Sequence, residues 1–298
     1  MQASLVNWLR LGALGIIWGS SFMAVSVAIR GFGPLSVAAG RITLGAVILF
    51  LLTRMMGLKL PAMNTAQGRR VWLAALGFGF CSMALPFFLL SWGQNYVTSG
   101  FAGVTMAAVP LLVLPLAHFL VAGDQMTLPK ATGFAIGFAG VMVLIGLGAF
   151  ESTGGSLEPL ARLACLGASV GYAFGSIITR LAPKVDPIAF ATTATILAAL
   201  MILPMALLVE GMPQNVSGSA FLAVLYLGIA PTALANLLLV AVIRSAGPSF
   251  LSLVNYQVPI WSVIFGAVFL SEDLPGRTYF ALALILTGLA VTKIWKRT

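Results

Sequence analysis

An internal repeat, spaced at half the chain length, is the strongest constraint on the fold. When Gly79 is aligned with Gly228, 149 residues later, Pro110 falls on Pro259 at the same spacing. Each half of the chain carries five long apolar segments. If these segments cross a membrane, the odd number forces the second half to run through it in the opposite sense. The sequence therefore predicts two repeats of inverted orientation.

Ten apolar segments are long enough to span a bilayer. Hydrophobic residues make up 60% and charged residues 8% of the 298 residues, whereas soluble domains contain about 25% charged residues. A spanning helix needs about 20 mostly apolar residues. The predicted spans are Leu9–Ile29, Pro34–Thr53, Val71–Trp92, Val97–Val121, Pro129–Ala149, Leu160–Leu181, Pro187–Val209, Ser219–Ile243, Pro248–Leu270 and Gly276–Trp295. We therefore expect an all-α membrane protein of ten transmembrane helices, arranged as two inverted five-helix repeats, residues 1–150 and 151–298, around a central cavity.

The basic residues predict the orientation of the chain in the membrane. Three of the 16 Lys and Arg, namely Arg30, Arg162 and Arg277, fall on the outer side, which is the side opposite the N-terminus. Twelve fall on the N-terminal side: Arg10, Arg54, Lys59, Arg69, Arg70, Lys130, Arg180, Lys184, Arg244, Lys293, Lys296 and Arg297. This bias predicts cytoplasmic N- and C-termini. The net charge of +9 thus follows membrane topology, and we expect no nucleic-acid partner.

Glycines recur at helical spacing within several predicted spans. Small residues allow helix backbones to approach closely in a membrane, where no hydrophobic force drives helices together. The spaced glycines are Gly15 and Gly19, Gly133 and Gly137, and Gly167, Gly171 and Gly175. Static packing is the expected role, and smooth faces on which helices slide or rock are the alternative.

Two prolines at equivalent repeat positions, Pro110 and Pro259, are candidate gating joints. A proline inside a helix frees a carbonyl group and bends the helix. Such bends either move during gating or give the bundle a static shape, and the sequence leaves both open. The other predicted mid-helix prolines are Pro86, Pro115, Pro204 and Pro231.

Arg41 is a basic residue at membrane depth. It lies about two turns into the second predicted helix, roughly 10 Å from the outer end at 1.5 Å per residue. Ionisable groups inside a membrane are costly and commonly mark functional sites. Arg41 is therefore a candidate cation for a substrate carboxylate. The alternative is an arginine that extends to the interface or binds neighbouring backbone carbonyls.

His118 is the chain's one histidine and a candidate proton site, although a structural, hydrogen-bonded role is the expected alternative. The predicted spans carry no Asp or Glu in their middle. A tight proton coupling commonly uses an intramembrane carboxylate, so facilitated transport is the simpler expectation. The sequence also lacks a zinc-ligand pattern, a phosphate-binding loop and a hydrolase constellation. We therefore expect no enzyme, no catalytic residues, no metal and no cofactor.

These features together resemble a known family. Residues 18–22 read Trp-Gly-Ser-Ser-Phe in the first helix, and Arg41 lies in the second. Each half ends with a proline-bearing helix, an acid (Asp124 or Glu272) and a glycine-rich helix. This combination is similar to the drug/metabolite transporter superfamily, and most of all to its EamA-type branch. Within that branch the chain resembles the YddG-type exporters of aromatic or neutral amino acids.

The resemblance implies an exporter of small metabolites in the bacterial inner membrane, with amino acids and analogues as substrates and membrane lipid as its surroundings. It also implies a basket of helices with a central cavity lined by the first, third, fourth, sixth, eighth and ninth helices. The residues that it places at this cavity are Trp18, Ser20, Ser21, Ser82, Tyr172, Ser176, Tyr226, Asn236, Tyr256 and Gln257. A lone Ser or Thr in such a list more often bonds its own helix.

Two other functions stay open at this point. One is export of drugs or other organic cations, and the other is a lipid-headgroup flippase. The small multidrug branch of the superfamily uses a buried glutamate in its first helix, which this chain lacks. The sugar-phosphate branch has several deep basic residues, whereas this chain has Arg41 alone. The sequence is compatible with a monomer and does not specify the oligomeric state.

Overall fold

The computed structural model describes residues 4–123, 125–145 and 157–294. Asp124, the predicted boundary between the halves at residues 150 and 151, and the predicted helix ends Ala149 and Trp295 lie outside these residues. In the part of the chain that is described, all regular secondary structure is helical.

Helices occur in each of the ten predicted segments. They are α1 (Leu5–Ala28), α2 (Pro34–Met55), α3 (Ala66–Gly93), α4 (Ser99–Leu120), α5 (Leu128–Ile145), α6 (Glu158–Leu181), α7 (Pro187–Val209), α8 (Gly218–Ala246), α9 (Val254–Leu270, preceded by the single turn Pro248–Leu251) and α10 (Gly276–Ile294). Seven of the described helices, α1–α4 and α6–α8, are long and apolar enough to cross a membrane, and α5, α9 and α10 contain shorter apolar stretches. The fold is therefore that of a multi-pass, all-helical membrane protein.

Three long helices change their winding part-way along. Helix α3 is π-helical over Phe80–Ala84, and α8 is π-helical over Gly228–Leu234. These segments coincide in the repeat alignment, which pairs Gly79 with Gly228. Helix α4 instead tightens to a 3₁₀ turn over Met106–Ala108. Such irregular turns frequently mark functional sites, because they reorient side chains and free backbone groups.

Pro86 and Pro110 lie inside long helices, as predicted, but the winding changes give each a local setting that the sequence did not predict. Pro86 and Pro110 lie in the first turn of the α-helix that resumes after each irregular segment. A proline is tolerated there, because its missing N–H would have no α-helical partner in any case. Pro259 lies inside α9 and is buried. The two repeat-equivalent prolines thus occupy different local structures.

The helices of the two halves interlock rather than form separate bundles. Helix α2 packs along α7, α5 along α10, and α4 along α9. Helix α1 contacts α8 and α9 of the other half, while α6 contacts α3 and α4 of the first half. If each helix of the first half is exchanged with the helix five places later in the chain, the same pairs of neighbouring helices result. The core is therefore built mainly between the halves.

Glycine contacts confirm the predicted close packing of helices at each of the spaced glycines except Gly167. A side-chain carbon added at Gly133 would lie 2.5 Å from the Gly288 carbonyl oxygen, so α5 and α10 meet backbone to backbone. One added at Gly19 would overlap Trp261 of α9, and one added at Gly175 would overlap Ser82 of α3. Because real carbon contacts are not this short, a larger residue at these positions would force its neighbours to shift.

Two carboxylates join helix ends across the bundle. Glu210, at the end of α7, accepts hydrogen bonds from the backbone N–H groups of Leu35 (2.9 Å) and Ser36 (2.8 Å) in the first turn of α2. Glu272, after α9, accepts the equivalent pair from the first turn of α4. A carboxylate at a helix N-terminus satisfies unpaired N–H groups and opposes the positive end of the helix dipole. Both contacts lie at the predicted outer end.

Candidate functional site

Arg41 lies in the interior of the bundle, on α2. Its side chain is 5% exposed, and its guanidinium carbon sits 3.7 Å from the ring centre of Phe87 on α3. Its Nε donates to the Thr232 hydroxyl oxygen at 3.4 Å. Thr232 belongs to the π-helical segment of α8 and donates its own hydroxyl to the Leu227 carbonyl at 2.7 Å. Arg41 is thus held by an aromatic face and one long hydrogen bond.

The positive charge of Arg41 has no described counter-ion. Among the described residues, none of the Asp and Glu carboxylates lies within 4.0 Å of its nitrogens. The phenol groups of Tyr172 on α6 and Tyr226 on α8 are close enough to interact with it electrostatically. A guanidinium carries five N–H donors, and the described contacts use one of them. Most of its hydrogen-bonding capacity is therefore available to a ligand.

Tyr226 connects this site to the first helix. Its hydroxyl lies 2.5 Å from the hydroxyl of Ser20, which is buried. Ser20 also donates within α1, to the Ile17 carbonyl at 3.1 Å. The next residue, Ser21, donates to the Trp18 carbonyl at 2.6 Å. Ser20 therefore takes part in the contact between α1 and α8, whereas the hydroxyl of Ser21 serves its own helix.

The other predicted cavity residues divide into two groups. Asn236 joins the site through the Thr232 carbonyl, to which it donates at 2.5 Å, while Ser176 bonds its own helix at the Tyr172 carbonyl, at 2.9 Å. The rest contribute to packing or are partly exposed at helix faces. Trp18 packs with apolar residues of α8 and α9, Ser82 lies against Gly175, Gln257 lies against Gly15, and Tyr256 is half-buried.

Two residues of this site were not among the predicted cavity residues. Phe87 provides the aromatic face under Arg41, and Thr232 provides its hydrogen-bond acceptor. The chain has 19 phenylalanines, and no spacing distinguishes Phe87 from the others. Thr232 follows a proline within the repeat-equivalent segment of α8, which is a weak local signal.

His118 and the two candidate gating prolines lie apart from this group. His118 is exposed at the end of α4, where its Nδ1 accepts the Met126 backbone N–H at 3.1 Å and its ring lies 4.8 Å from that of Phe119. None of the described partners of His118, Pro110 or Pro259 is a residue that contacts Arg41. Their roles in proton transfer and gating stay predictions.

A family comparison identifies the class of protein. The family model of the EamA-like transporters matches residues 9–146 and, a second time, residues 160–294. The chain belongs to the EamA-like transporter family. The resemblance to the drug/metabolite transporter superfamily is thereby confirmed, and this EamA-like chain is a membrane transporter.

Several similar proteins are also transporters by name. The chain is 29% identical to the uncharacterized inner membrane transporter YedA of Escherichia coli strain K12, over 96% of this chain and 90% of that one. It is 26% identical to an uncharacterized transporter of Archaeoglobus fulgidus, over 96% and 98%. A solved crystal structure with 21% identity has the same fold, with a TM-score of 0.70 over 98% of this chain and 99% of the other.

Proposed function

We propose that this EamA-like transporter exports amino acids and related small metabolites through a cavity at Arg41. The observation that carries the proposal is a buried arginine with no described carboxylate beside it. Burying an unpaired charge costs several kcal/mol, and ionisable residues inside membrane helices usually serve a substrate pathway. The carboxylate of an amino acid would supply the missing counter-ion.

The surroundings of Arg41 suit a neutral substrate with one carboxylate. Tyr172 and Tyr226 add phenol hydroxyls, and Phe87 adds an apolar face. An arginine binds a carboxylate through two parallel N–H bonds, a geometry that also fixes the orientation of the ligand. The site holds one described cation rather than several, which disfavours substrates with a doubly charged phosphate.

We further propose that export proceeds by alternating access between two inverted five-helix repeats, residues 1–150 and 151–298. The double match of the family model, the paired π-helical segments and the exchange symmetry of helix neighbours support this arrangement. The repeats would rock about the cavity between them. The bias of basic residues supports cytoplasmic termini, and the proposed location is the bacterial inner membrane.

Transport is proposed to be facilitated rather than tightly coupled to protons. The proposal rests on the sequence, in which the spans have no Asp or Glu in their middle. A proton relay through the membrane commonly needs such a carboxylate. The single histidine of the chain, His118, is the remaining candidate for a proton carrier, and it is exposed at the end of α4.

Flux into proteoliposomes tests this function. Labelled threonine, methionine and phenylalanine are supplied with and without an imposed pH gradient, and saturable flux that ignores the gradient is expected. Flux that requires the gradient would refute facilitated transport. Folded protein that moves no amino acid, but moves a cationic dye or a labelled lipid headgroup, would replace the proposal with drug export or lipid flipping.

A further inference from the structure

A cavity opens at the predicted outer end of the bundle, among the ends of α1, α3 and α9 and the start of α4. Its volume is about 310 Å³, within the lower range of small-molecule pockets. Its polar lining includes Arg30 from α1, Gln94 and Asn95 after α3, and Glu272 after α9. None of these residues contacts Arg41, so the cavity is distinct from the site described above.

Gln94, which lines this cavity, has a side-chain amide that is only partly hydrogen-bonded by the described residues. Its side chain is 6% exposed, and its Oε1 accepts the Ser26 hydroxyl at 2.9 Å. Its Nε2 is buried and has no hydrogen-bond partner among the described residues. Because a serine hydroxyl both donates and accepts, the reversed amide would leave Oε1 unpaired instead. A buried polar atom without a partner destabilises the folded protein. A ligand that accepts a hydrogen bond from Gln94 would therefore relieve this destabilisation.

Opposite charges line the same cavity without pairing with each other. Arg30 is exposed, and no described carboxylate lies within ion-pair distance of it. The Glu272 oxygens accept the backbone N–H groups of Ser99 (2.7 Å) and Gly100 (3.0 Å). Each carboxylate oxygen can accept a further hydrogen bond. The cavity therefore offers a separate site for an anion and for a cation.

We propose that this outer cavity binds a small zwitterion. The ligand carboxylate contacts Arg30 and, once the Gln94 side chain turns its buried amide toward the cavity, the Gln94 Nε2. The ligand ammonium contacts the free side of Glu272. In naming the ligand as an amino acid, the inference rests on the proposed function. It adds a second subsite, which the substrate occupies after it leaves Arg41 and before it reaches the outer solution.

The test uses a cysteine placed at the cavity rim, Asn95→Cys, and its rate of alkylation by a membrane-impermeant maleimide. Asn95 is exposed and its amide donates to carbonyls in the last turn of α3, so the substitution leaves the proposed ligands in place. Threonine is the probe. Saturating threonine is expected to slow alkylation at least about fivefold, and Arg30→Gln or Gln94→Leu to raise the half-protecting concentration about tenfold or more.

Three controls make the result specific. Met212→Cys, on an exposed outer loop, should be alkylated at the same rate with and without threonine. Acetate and methylamine, which carry one charge each, should protect Asn95→Cys more weakly than threonine. Adding Arg41→Gln should leave the protection unchanged, because the outer cavity does not include Arg41. The chain without an introduced cysteine gives the background from Cys81 and Cys165.

The outcomes separate this inference from the proposed function. Amino-acid flux without any protection of Asn95→Cys would overturn the outer subsite and leave the exporter in place. Protection that survives both Arg30→Gln and Gln94→Leu, or that disappears with Arg41→Gln, would also overturn the subsite. Protection without flux would support the subsite and refute amino-acid export. Equal protection by acetate and threonine would refute a zwitterion as the ligand.

Discussion

Replacing Arg41 with methionine should change stability and substrate affinity in different ways. The change removes the contact with the Phe87 ring, worth about 2 kcal/mol for a desolvated pair, and one long hydrogen bond to Thr232, worth about 0.5–1 kcal/mol. Thr232 keeps its bond to the Leu227 carbonyl at 2.7 Å, so no buried hydroxyl is left without a partner.

The same change removes a buried charge that has no described counter-ion. An arginine at the centre of a membrane helix costs about 2.5–3.5 kcal/mol on insertion scales. Removing the arginine removes this cost, which offsets the roughly 2.5–3 kcal/mol that is lost with the ring contact and the hydrogen bond. The free energy of unfolding of Arg41→Met should therefore lie within about 1 kcal/mol of the parent value. Methionine is also flexible enough to fill the space over the Phe87 ring.

Substrate affinity should fall strongly in the same variant. Hydrogen bonds to a charged group contribute about 1.5–3 kcal/mol, which corresponds to a rise of about 10- to 150-fold in the KM for amino-acid flux. Arg41→Lys keeps the charge but loses the paired N–H geometry, so its KM should be intermediate. Arg277→Met, which removes an exposed arginine at the start of α10, is the matched control.

The assay combines flux measurements in proteoliposomes with unfolding of the purified protein in mixed micelles. A variant that is destabilised by 2–3 kcal/mol and keeps the parent KM would refute the reasoning, since an arginine with a purely structural role would give that result. Unchanged stability together with an unchanged KM would also refute the reasoning, because the charge of Arg41 would then not be needed to bind the substrate.

Three further predictions concern packing, helix capping and proton coupling. Gly19→Ala should lower the free energy of unfolding by about 1–3 kcal/mol, because the added methyl overlaps α9, whereas Gly12→Ala, with nothing within 4 Å, should be neutral or slightly stabilising in the same unfolding assay. Glu210→Ala should lower the free energy of unfolding by about 1–2 kcal/mol, because it removes both hydrogen-bond acceptors at the start of α2. Asp273→Ala, at an exposed residue, should change the free energy of unfolding little in the same assay. His118→Gln should leave amino-acid flux and its response to a pH gradient unchanged, and a gradient-driven flux that this variant abolishes would assign His118 as a proton site.

The positions of the helices were largely predictable from the sequence. The apolar runs are long and uninterrupted by charge, and a helix satisfies its own backbone hydrogen bonds within the run, so local composition specifies it. The helix starting at Pro34 and the one starting at Pro187 begin at the predicted residues. The glycine spacing likewise predicted the close contact made by Gly133 and Gly19. The winding changes were not predicted, because they depend on packing between neighbouring helices.

The candidate site was predictable only in its polar members. Arg41, Tyr172, Tyr226 and Ser20 are recognisable as polar or phenolic groups within different predicted membrane helices. The sequence could not show which of them meet, and it gave equal weight to Ser176, whose hydroxyl bonds its own helix. Each pairing depends on how a helix is rotated about its own axis. A helix that is apolar on all faces carries no sequence pattern that specifies this rotation.

By itself, the sequence determined the helical class and the approximate positions of the helices, and it predicted the inverted repeat and a lone basic residue at membrane depth. The tertiary structure alone decided that Phe87 lies under Arg41, that Glu210 caps α2 and that the Gln94 Nε2 has no hydrogen-bond partner among the residues that the structure describes. The physical reason is the range of the interactions. Helix formation and membrane burial follow from neighbouring residues, whereas these contacts join distant parts of the chain and exist only once the two halves have packed together.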